Sequence, residues 1–420
     1  MRKKTLIYDA TIIADNISNL NSGRSGIFFV AYNVLKQLVK TEQFDVSVFC
    51  DNRYNKDFID FAEKNFGKNI KIYSGNRFDG ILKKLSDLNS KLRAHHLNIS
   101  KLLLNIFVRK PIGFLGRFYK LPKFDIAVSP VFVLPDIIRA NKKYIILHDA
   151  IPLLFPQYYK TCNADKNFWY NILVKYIKTQ PKCKFFAVSE STKKDFIKLL
   201  NVNPDDINVM PLAASDNFYH ENDEKQIKKI CKKYKIPSGK KYVFSLCTLE
   251  PRKNLIRSIK TFIQFIDKNK INDMIFVLGG AHWDEFIGKL ESEIKDLGKY
   301  KDKIVRVGYV DDKDLAALYS GAQWFVYTSQ YEGFGLPPLE AMKCGAPVIT
   351  SNNSSLPEVV GNAAIVLDWD SDEQHIAAYE KYYFDEKYRK SMAQKGLEHS
   401  KQFSWEKTVN IMIDIIKKGF

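Results

Sequence analysis

Short β-rich runs alternate with amphipathic helical patterns along most of the chain, and that alternation limits the fold more than any other feature. In the first half the sequence predicts strands at Thr5–Tyr8, Val46–Phe49, Ile70–Tyr73, Ile126–Val128, Tyr144–Leu147 and Phe185–Val188. Helical patterns such as Phe28–Val39 and Asp57–Phe66 fall between them. The second half predicts strands at Lys241–Leu246, Met274–Leu278, Ile304–Val307, Trp324–Tyr327, Pro347–Thr350 and Ala364–Leu367. Helices are expected at Asn254–Lys268, Trp283–Leu297 and Asp312–Ser320. Strands joined through helices return parallel, so each half is expected to form a parallel sheet with helices on both faces. At 420 residues the chain is too long for one small core and suits two such doubly wound domains. Ligands of such sheets bind at the carboxyl ends of strands and in the cleft between domains. The expected division is 1–212 and 213–402. A closing helix over 403–420 either completes the second domain or crosses back to the first.

Charge is distributed unevenly. Residues 1–200 hold 34 Lys and Arg against 16 Asp and Glu, which is the whole excess of +18, and the remainder is balanced. A field confined to one half points to an anionic partner for that half. Within it, Ile81, Leu82, Leu85, Leu88 and Leu92 recur at helical spacing beside Lys83, Lys84, Lys91 and Arg93. Residues 81–120 therefore read either as a basic amphipathic helix on an anionic membrane or as a core-facing helix with a solvated back. No apolar run reaches the length of a spanning helix, and the first strand is cut by Asp9, unlike a signal peptide. The six cysteines show no Cys-x-x-Cys spacing, which favours reduced thiols and a cytoplasmic location, peripheral on the inner face of the plasma membrane if 81–120 docks there. No metal and no cofactor is expected.

The densest motif is Ser329-Gln330-Tyr331-Glu332-Gly333-Phe334-Gly335-Leu336-Pro337-Pro338-Leu339-Glu340. Gly333 and Gly335 allow positive φ and close approach to a ligand. Pro337 and Pro338 suit a helix's first turn, and Gly345 suits its end, so a helix is expected over Pro337–Cys344. Its free N–H groups would make an anion site, with Glu332 on one side and Glu340 on the other. Two carboxylates flanking an anion site fit a sugar–diphosphate–nucleoside. The alternative is that Glu340 merely complements the helix terminus.

Three further loops bear on the same chemistry. Leu249-Glu250-Pro251-Arg252-Lys253-Asn254 places adjacent cations at a strand's carboxyl end, where Arg offers a bidentate fork and Lys a point charge to a diphosphate. The bland reading is a solvated turn with Asn254 as N-cap. Leu147-His148-Asp149 ends an apolar strand; His148 either meets a sugar hydroxyl or is a core histidine satisfied by Asp149. Asn21-Ser22-Gly23-Arg24-Ser25-Gly26 opens a helix, and its spacing is neither a dinucleotide fingerprint nor a P-loop. Gly279-Gly280 and the turn at Val310 end neighbouring strands and are candidates for the edge of a nucleotide pocket.

Together the Arg252-Lys253-Asn254 turn, the Glu332-to-Glu340 motif, the His148-Asp149 pair and the Gly23–Gly26 loop resemble glycosyltransferase family 4. Val188-Ser189-Glu190-Ser191, Val209-Met210-Pro211-Leu212 and Phe403-Ser404-Trp405 add to the likeness. The resemblance implies the GT-B fold, two Rossmann-like domains facing across a cleft, and sugar transfer from a nucleotide donor with retention and without bound metal. It implies that Glu332 contacts the donor sugar and Glu340 the ribose. Arg252 and Lys253 would hold the diphosphate with N–H groups of Phe334, Gly335 and Leu336. His148 would touch the sugar, Gly26 would approach the phosphates, and backbone near Val310 would border the base. The stretch His148–Pro156 is similar to members using GDP-mannose or a related deoxyhexose donor in O-antigen or capsule assembly. The implied partners are a nucleotide-sugar donor and a glycan or lipid-linked acceptor. Arg24 and Ser25, between the first-loop glycines, depart from the family's simple glycine pair. Two other readings stand beside this one: a GT-B-fold sugar-nucleotide epimerase, and a nucleic-acid-binding module using the basic half. Against the latter, 81–120 has few aromatics for base stacking and no recognised nucleic-acid motif, so no nucleic acid is expected.

Overall fold

A computed structural model describes residues 2–18, 26–50, 56–74, 121–155, 183–280 and 284–419. The loop at 19–25 and the basic stretch 81–120 lie outside the described residues, and so do the phosphate-loop and membrane expectations placed on them.

The first half runs β1 (Thr5–Asp9), α1 (Thr11–Ser18), α2 (Gly26–Thr41), β2 (Asp45–Cys50), α3 (Lys56–Phe66), β3 (Lys71–Ser74), β4 (Phe124–Ser129), β5 (Ala140–Leu147), α4 (Ile151–Leu154), β6 (Cys183–Ala187), α5 (Glu190–Leu200) and β7 (Ile207–Val209). Its strands form one sheet in the order β3-β2-β1-β4-β5-β6-β7, with β1 parallel to both β2 and β4. The strands read as apolar runs because both faces are covered: Leu6, Ile7 and Tyr8 are consecutive and fully buried. Helix α2 buries Val30, Ala31, Val34, Leu35 and Leu38, the helical-period stripe that packs it on the sheet.

The second half continues with α6 (Glu224–Lys233), β8 (Lys241–Leu246), α7 (Leu255–Lys268), β9 (Met274–Gly279), α8 (Asp284–Asp296), β10 (Ile304–Gly308), α9 (Asp312–Ser320), β11 (Trp324–Tyr327), α10 (Leu336–Lys343), β12 (Val348–Ser351), α11 (Leu356–Val360), β13 (Ala364–Leu367), α12 (Asp372–Phe384), α13 (Glu386–Ser400) and α14 (Trp405–Lys418). The sheet order is β10-β9-β8-β11-β12-β13. One face is an aromatic core in which Phe265 meets Trp324 and Tyr379 edge-on or tilted. The buried tyrosine hydroxyls there donate to backbone carbonyls, Tyr379 to Ser258 O at 3.2 Å and Tyr382 to Val348 O at 3.0 Å.

The chain divides into two compact units, one of residues 1–147, 172–186 and 409–420, the other of 148–171 and 187–408. The stretches 148–171 and 187–212, which the sequence assigns to the first domain, thus cluster with the second unit. Residues 409–420 cluster with the first. Contacts of His148, Ser189 and Thr192 with Gly333 account for part of that grouping.

Two parallel α/β sheets are present as the alternation predicts, with most strand ends within two residues of expectation. Helices α1, α4, α5 and α11–α13 and the short strand β7 were not anticipated. Helix α13 has four lysine or arginine residues and few apolar ones in fifteen, so its periodicity is weak. Among the described residues no helix is long and apolar enough to cross a membrane.

Candidate active site

Strand β8 has β9 on one side and β11 on the other. The strand order therefore reverses between β8 and β11, and the loops leaving their carboxyl ends diverge to open a crevice. Topology alone brings together two loops about 80 residues apart in sequence. The loop after β8 carries Arg252 and Lys253. The loop after β11 carries Glu332.

These side chains form one buried ionic cluster. Glu332 Oε1 accepts from Arg252 Nη1 at 3.0 Å and from Lys253 Nζ at 2.6 Å. Arg252 also donates to the carbonyl of Tyr331 and, through Nη2, to Glu250 Oε1. Lys253 Nζ donates to Tyr327 Oη at 2.7 Å and lies 3.8 Å from Glu250. Burial opposes ionisation of Glu332, but the two cations outweigh it and hold the carboxyl at about 2. Glu332 is thus an anion throughout the physiological range, able to accept hydrogen bonds from hydroxyls and unable to donate a proton.

Glu250 belongs to the same loop, and its sequence pattern alone points to no role. It is buried and balances the cluster, so two cations face two carboxylates. A diphosphate would therefore compete for Arg252 and Lys253; it would not meet bare charges. An acid two residues before an arginine in a strand-end loop was the available signal.

The turn after Glu332 has the expected shape, with two differences. Gly335 adopts φ +108° at the N-cap of α10, and α10 begins at Leu336, one residue earlier than predicted. Gly333 does not have positive φ. It is needed for space: a Cβ there would lie 1.9 Å from the carbonyl oxygen of His148. Phe334 is buried, with its ring edge-on to Phe403 at 6.1 Å. The first turn of α10 leaves its N–H groups without intrahelical carbonyls, and prolines at its start remove two of those donors harmlessly.

Glu340 lies farther along α10 and is environmentally distinct from Glu332. Tyr319 Oη donates to its Oε2 at 3.2 Å. Burial pushes the carboxyl up to about 8, against that hydrogen bond and with help from Asp312. The two acids of the motif therefore sit in opposite protonation regimes at neutral pH.

The other expected residues are placed as follows. His148 is buried, and it is its backbone carbonyl that packs on Gly333. Asp149 Oδ1 accepts from the Ile151 N–H at 3.0 Å. Burial raises its carboxyl, with His148 and Arg252 pulling down and Glu332 pushing up. Asn254 is left-handed at the start of α7 and makes no side-chain cap; its Nδ2 donates to Trp369 O at 2.6 Å. Val310 is buried against the position of a Gly279 Cβ. A Cβ at Gly280 would lie 1.9 Å from Cys247 O, so this edge is tightly closed. Gly26 opens α2 in the other unit, with open space where a Cβ would stand. Among the described residues no group of three or more His, Cys, Asp or Glu side chains is placed to hold a metal ion.

Residues 226–399 match the family model described as glycosyl transferases group 1. The match covers less than half of the chain. The group 1 region contains Arg252, Lys253, Glu332 and Glu340, while His148 and Gly26 lie outside it. The chain is similar to O-antigen chain mannosyltransferase B of Escherichia coli, with 34% identity over 231 residues, 55% of this chain and 59% of that protein. Serotype-specific mannosyltransferase WbdA of Escherichia coli is 28% identical over 274 residues, 65% of this chain and 33% of that one. The chain thus spans less than two thirds of the length of these relatives. Among solved structures, Anabaena HepE in complex with UDP and glucose has a TM-score of 0.68 at 14% identity, over 99% of this chain and 100% of that one. At that identity the likeness is one of fold, and the two parallel α/β units are those of the GT-B architecture.

Proposed function

We propose that the protein is a retaining, metal-independent glycosyltransferase that moves mannose or a related hexose from a nucleoside diphosphate sugar, with GDP-mannose favoured. The acceptor is a glycan or lipid-linked saccharide in O-antigen or capsule assembly. The observation that carries this reading is the cluster of Arg252, Lys253 and Glu332 at the switch point, beside the start of α10. The mannosyltransferase names of the relatives support the sugar.

In this reading the donor's diphosphate takes over hydrogen bonds of Arg252 and Lys253 and lies against the N–H groups of Phe334, Gly335 and Leu336. Glu332, kept ionised, accepts from hydroxyls of the sugar. Glu340, close to half-protonated near pH 8, both accepts from and donates to the ribose diol. The bond from C1 to the diphosphate oxygen breaks with development of oxocarbenium character. The cations and helix start stabilise the charge on the departing oxygen. The acceptor oxygen bonds C1 on the same face and passes its proton to a phosphate oxygen. His148 supports the sugar. The basic stretch 81–120 holds the enzyme at an anionic membrane surface on the cytoplasmic side.

The test is transfer from GDP-mannose to a lipid-linked acceptor with chelator present, the new anomer being read by NMR. The proposal predicts an α-linked product and free GDP. An inverted product, or sugar-nucleotide turnover without acceptor as an epimerase would give, contradicts it.

A further inference from the structure

The turn that precedes α10 is held by hydroxyl groups from two separate segments, and this arrangement has a consequence for the direction of its N–H groups. Three consecutive carbonyls are engaged. Ser355 Oγ lies 3.0 Å from Glu332 O and 2.7 Å from Phe334 O, and its one proton can serve either. Gly333 O accepts from Ser189 Oγ at 2.6 Å and from Thr192 Oγ1 at 3.0 Å. The N–H of Glu332 donates to Ser354 Oγ at 2.9 Å.

The peptide bonds here are all trans. In a planar trans peptide the C=O and the following N–H point in opposite directions. A hydroxyl on Gly333 O therefore turns the Phe334 N–H away from that hydroxyl. A hydroxyl on Phe334 O does the same for the Gly335 N–H. Each bond also draws electron density toward the carbonyl oxygen and leaves the N–H a stronger donor.

The hydroxyls are themselves fixed. Ser189 is the N-cap of α5 and accepts from Thr192 N at 3.0 Å, while its one hydroxyl proton is donated to Gly333 O. Glu358, on α11, accepts from the N–H groups of Glu190 and Ser191 at 2.8 Å each. A carboxylate on the first turn of a helix is favoured by charge as well as by hydrogen bonding. Ser355 immediately precedes α11, so Glu358 and Ser355 tie the serine segment and the start of α5 to the same turn.

We propose that Ser189, Thr192 and Ser355, with Glu358 holding the start of α5, are positioning residues that aim and polarise the N–H groups of Phe334 and Gly335 toward the donor diphosphate. None of them is a catalytic residue, since each acts through the backbone of the turn. The inference rests on the donor reading above and adds to it a reason why the turn is ready for an anion before one binds.

The experiment is calorimetric titration of the full chain with GDP, UDP, guanosine and uridine, comparing wild type with Ser355→Ala and Ser355→Thr. Melting temperature is followed in parallel. Ser355→Ala is expected to weaken the diphosphate that binds by roughly tenfold, the loss of one hydrogen bond's worth of orientation. The matching nucleoside should change less than about twofold, and Ser355→Thr should restore the diphosphate. Glu358→Gln, on an exposed side chain that keeps one acceptor oxygen, is the second variant should Ser355→Ala fold poorly. It should give the same selective loss at roughly threefold. Equal loss for diphosphate and nucleoside, or no loss in either variant, overturns the positioning role while wild-type binding still upholds the donor site. Wild type that binds neither GDP nor UDP overturns both.

Discussion

At the scale of single residues, the two carboxylates of the motif behave oppositely, and the difference is measurable. Glu332 is held at about 2 by its cations, below an ordinary 4.5. Its contribution to stability is present above about pH 4.5 and is lost as pH falls through 4.5 toward 2, on the order of 3 kcal/mol in full. Glu340 has the reverse sign. Its folded-state value of about 8 lies above the ordinary 4.5, so the folded protein keeps a proton that the unfolded chain gives up. Stability attributable to Glu340 is therefore full below about pH 4.5 and falls as pH rises from 4.5 to 8. Glu340→Gln should flatten the fall in melting temperature between pH 5 and pH 8.5, measured by calorimetry beside wild type. An unchanged slope would mean that Glu340 is ionised in the folded protein. Arg252→Ala should lower kcat by roughly 10² or more, as loss of one buried charge-stabilising donor does. It should also destabilise the fold by about 3 kcal/mol, because two buried carboxylates, Glu250 and Glu332, then share Lys253 alone. Full turnover in Arg252→Ala would remove the leaving-group role from this residue.

At the scale of elements, the turn between β11 and α10 is the most sensitive piece. Gly333→Ala would drive a methyl group into the His148 carbonyl oxygen, a backbone atom that cannot rotate away as a side chain could. Activity should fall to background. Gly335→Ala meets only the end of the Leu356 side chain, and its cost is mainly the +108° φ, about 1–3 kcal/mol. A Gly333→Ala enzyme as stable and active as Gly335→Ala, by denaturant titration and initial rates, would refute this ranking. Much of this turn was legible in the sequence. Two glycines and two prolines at fixed offsets announce a turn and a helix start, and α10 differs from expectation by one residue. The reason for Gly333 was not legible, because the group that needs its space, His148 O, is distant in sequence. Glu250 was missed for a related cause: a lone acid beside two bases reads as a solvated turn until burial is known. Helix α5 was missed although Ser189 was noted, because its Lys-rich face blurs the apolar period.

At the scale of the whole molecule, strand alternation and chain length were enough to predict two parallel α/β units. The chain's division between those units was not readable, since it depends on non-local contacts such as that of His148 with Gly333. The charge imbalance also belongs to this scale, with the excess cations in residues 1–200 and the ionic cluster in the balanced half. The most direct test of the central claim is a thermal-shift comparison of GDP-, UDP-, ADP- and dTDP-sugars at saturating concentration. Ligand at 100 times its Kd should stabilise the protein by about 2.7 kcal/mol. GDP-mannose is predicted to give the largest shift, and Arg252→Ala to abolish it. No shift with any of the four, or a shift that survives Arg252→Ala and Lys253→Ala together, would contradict the assignment of this cluster as a nucleotide-sugar site.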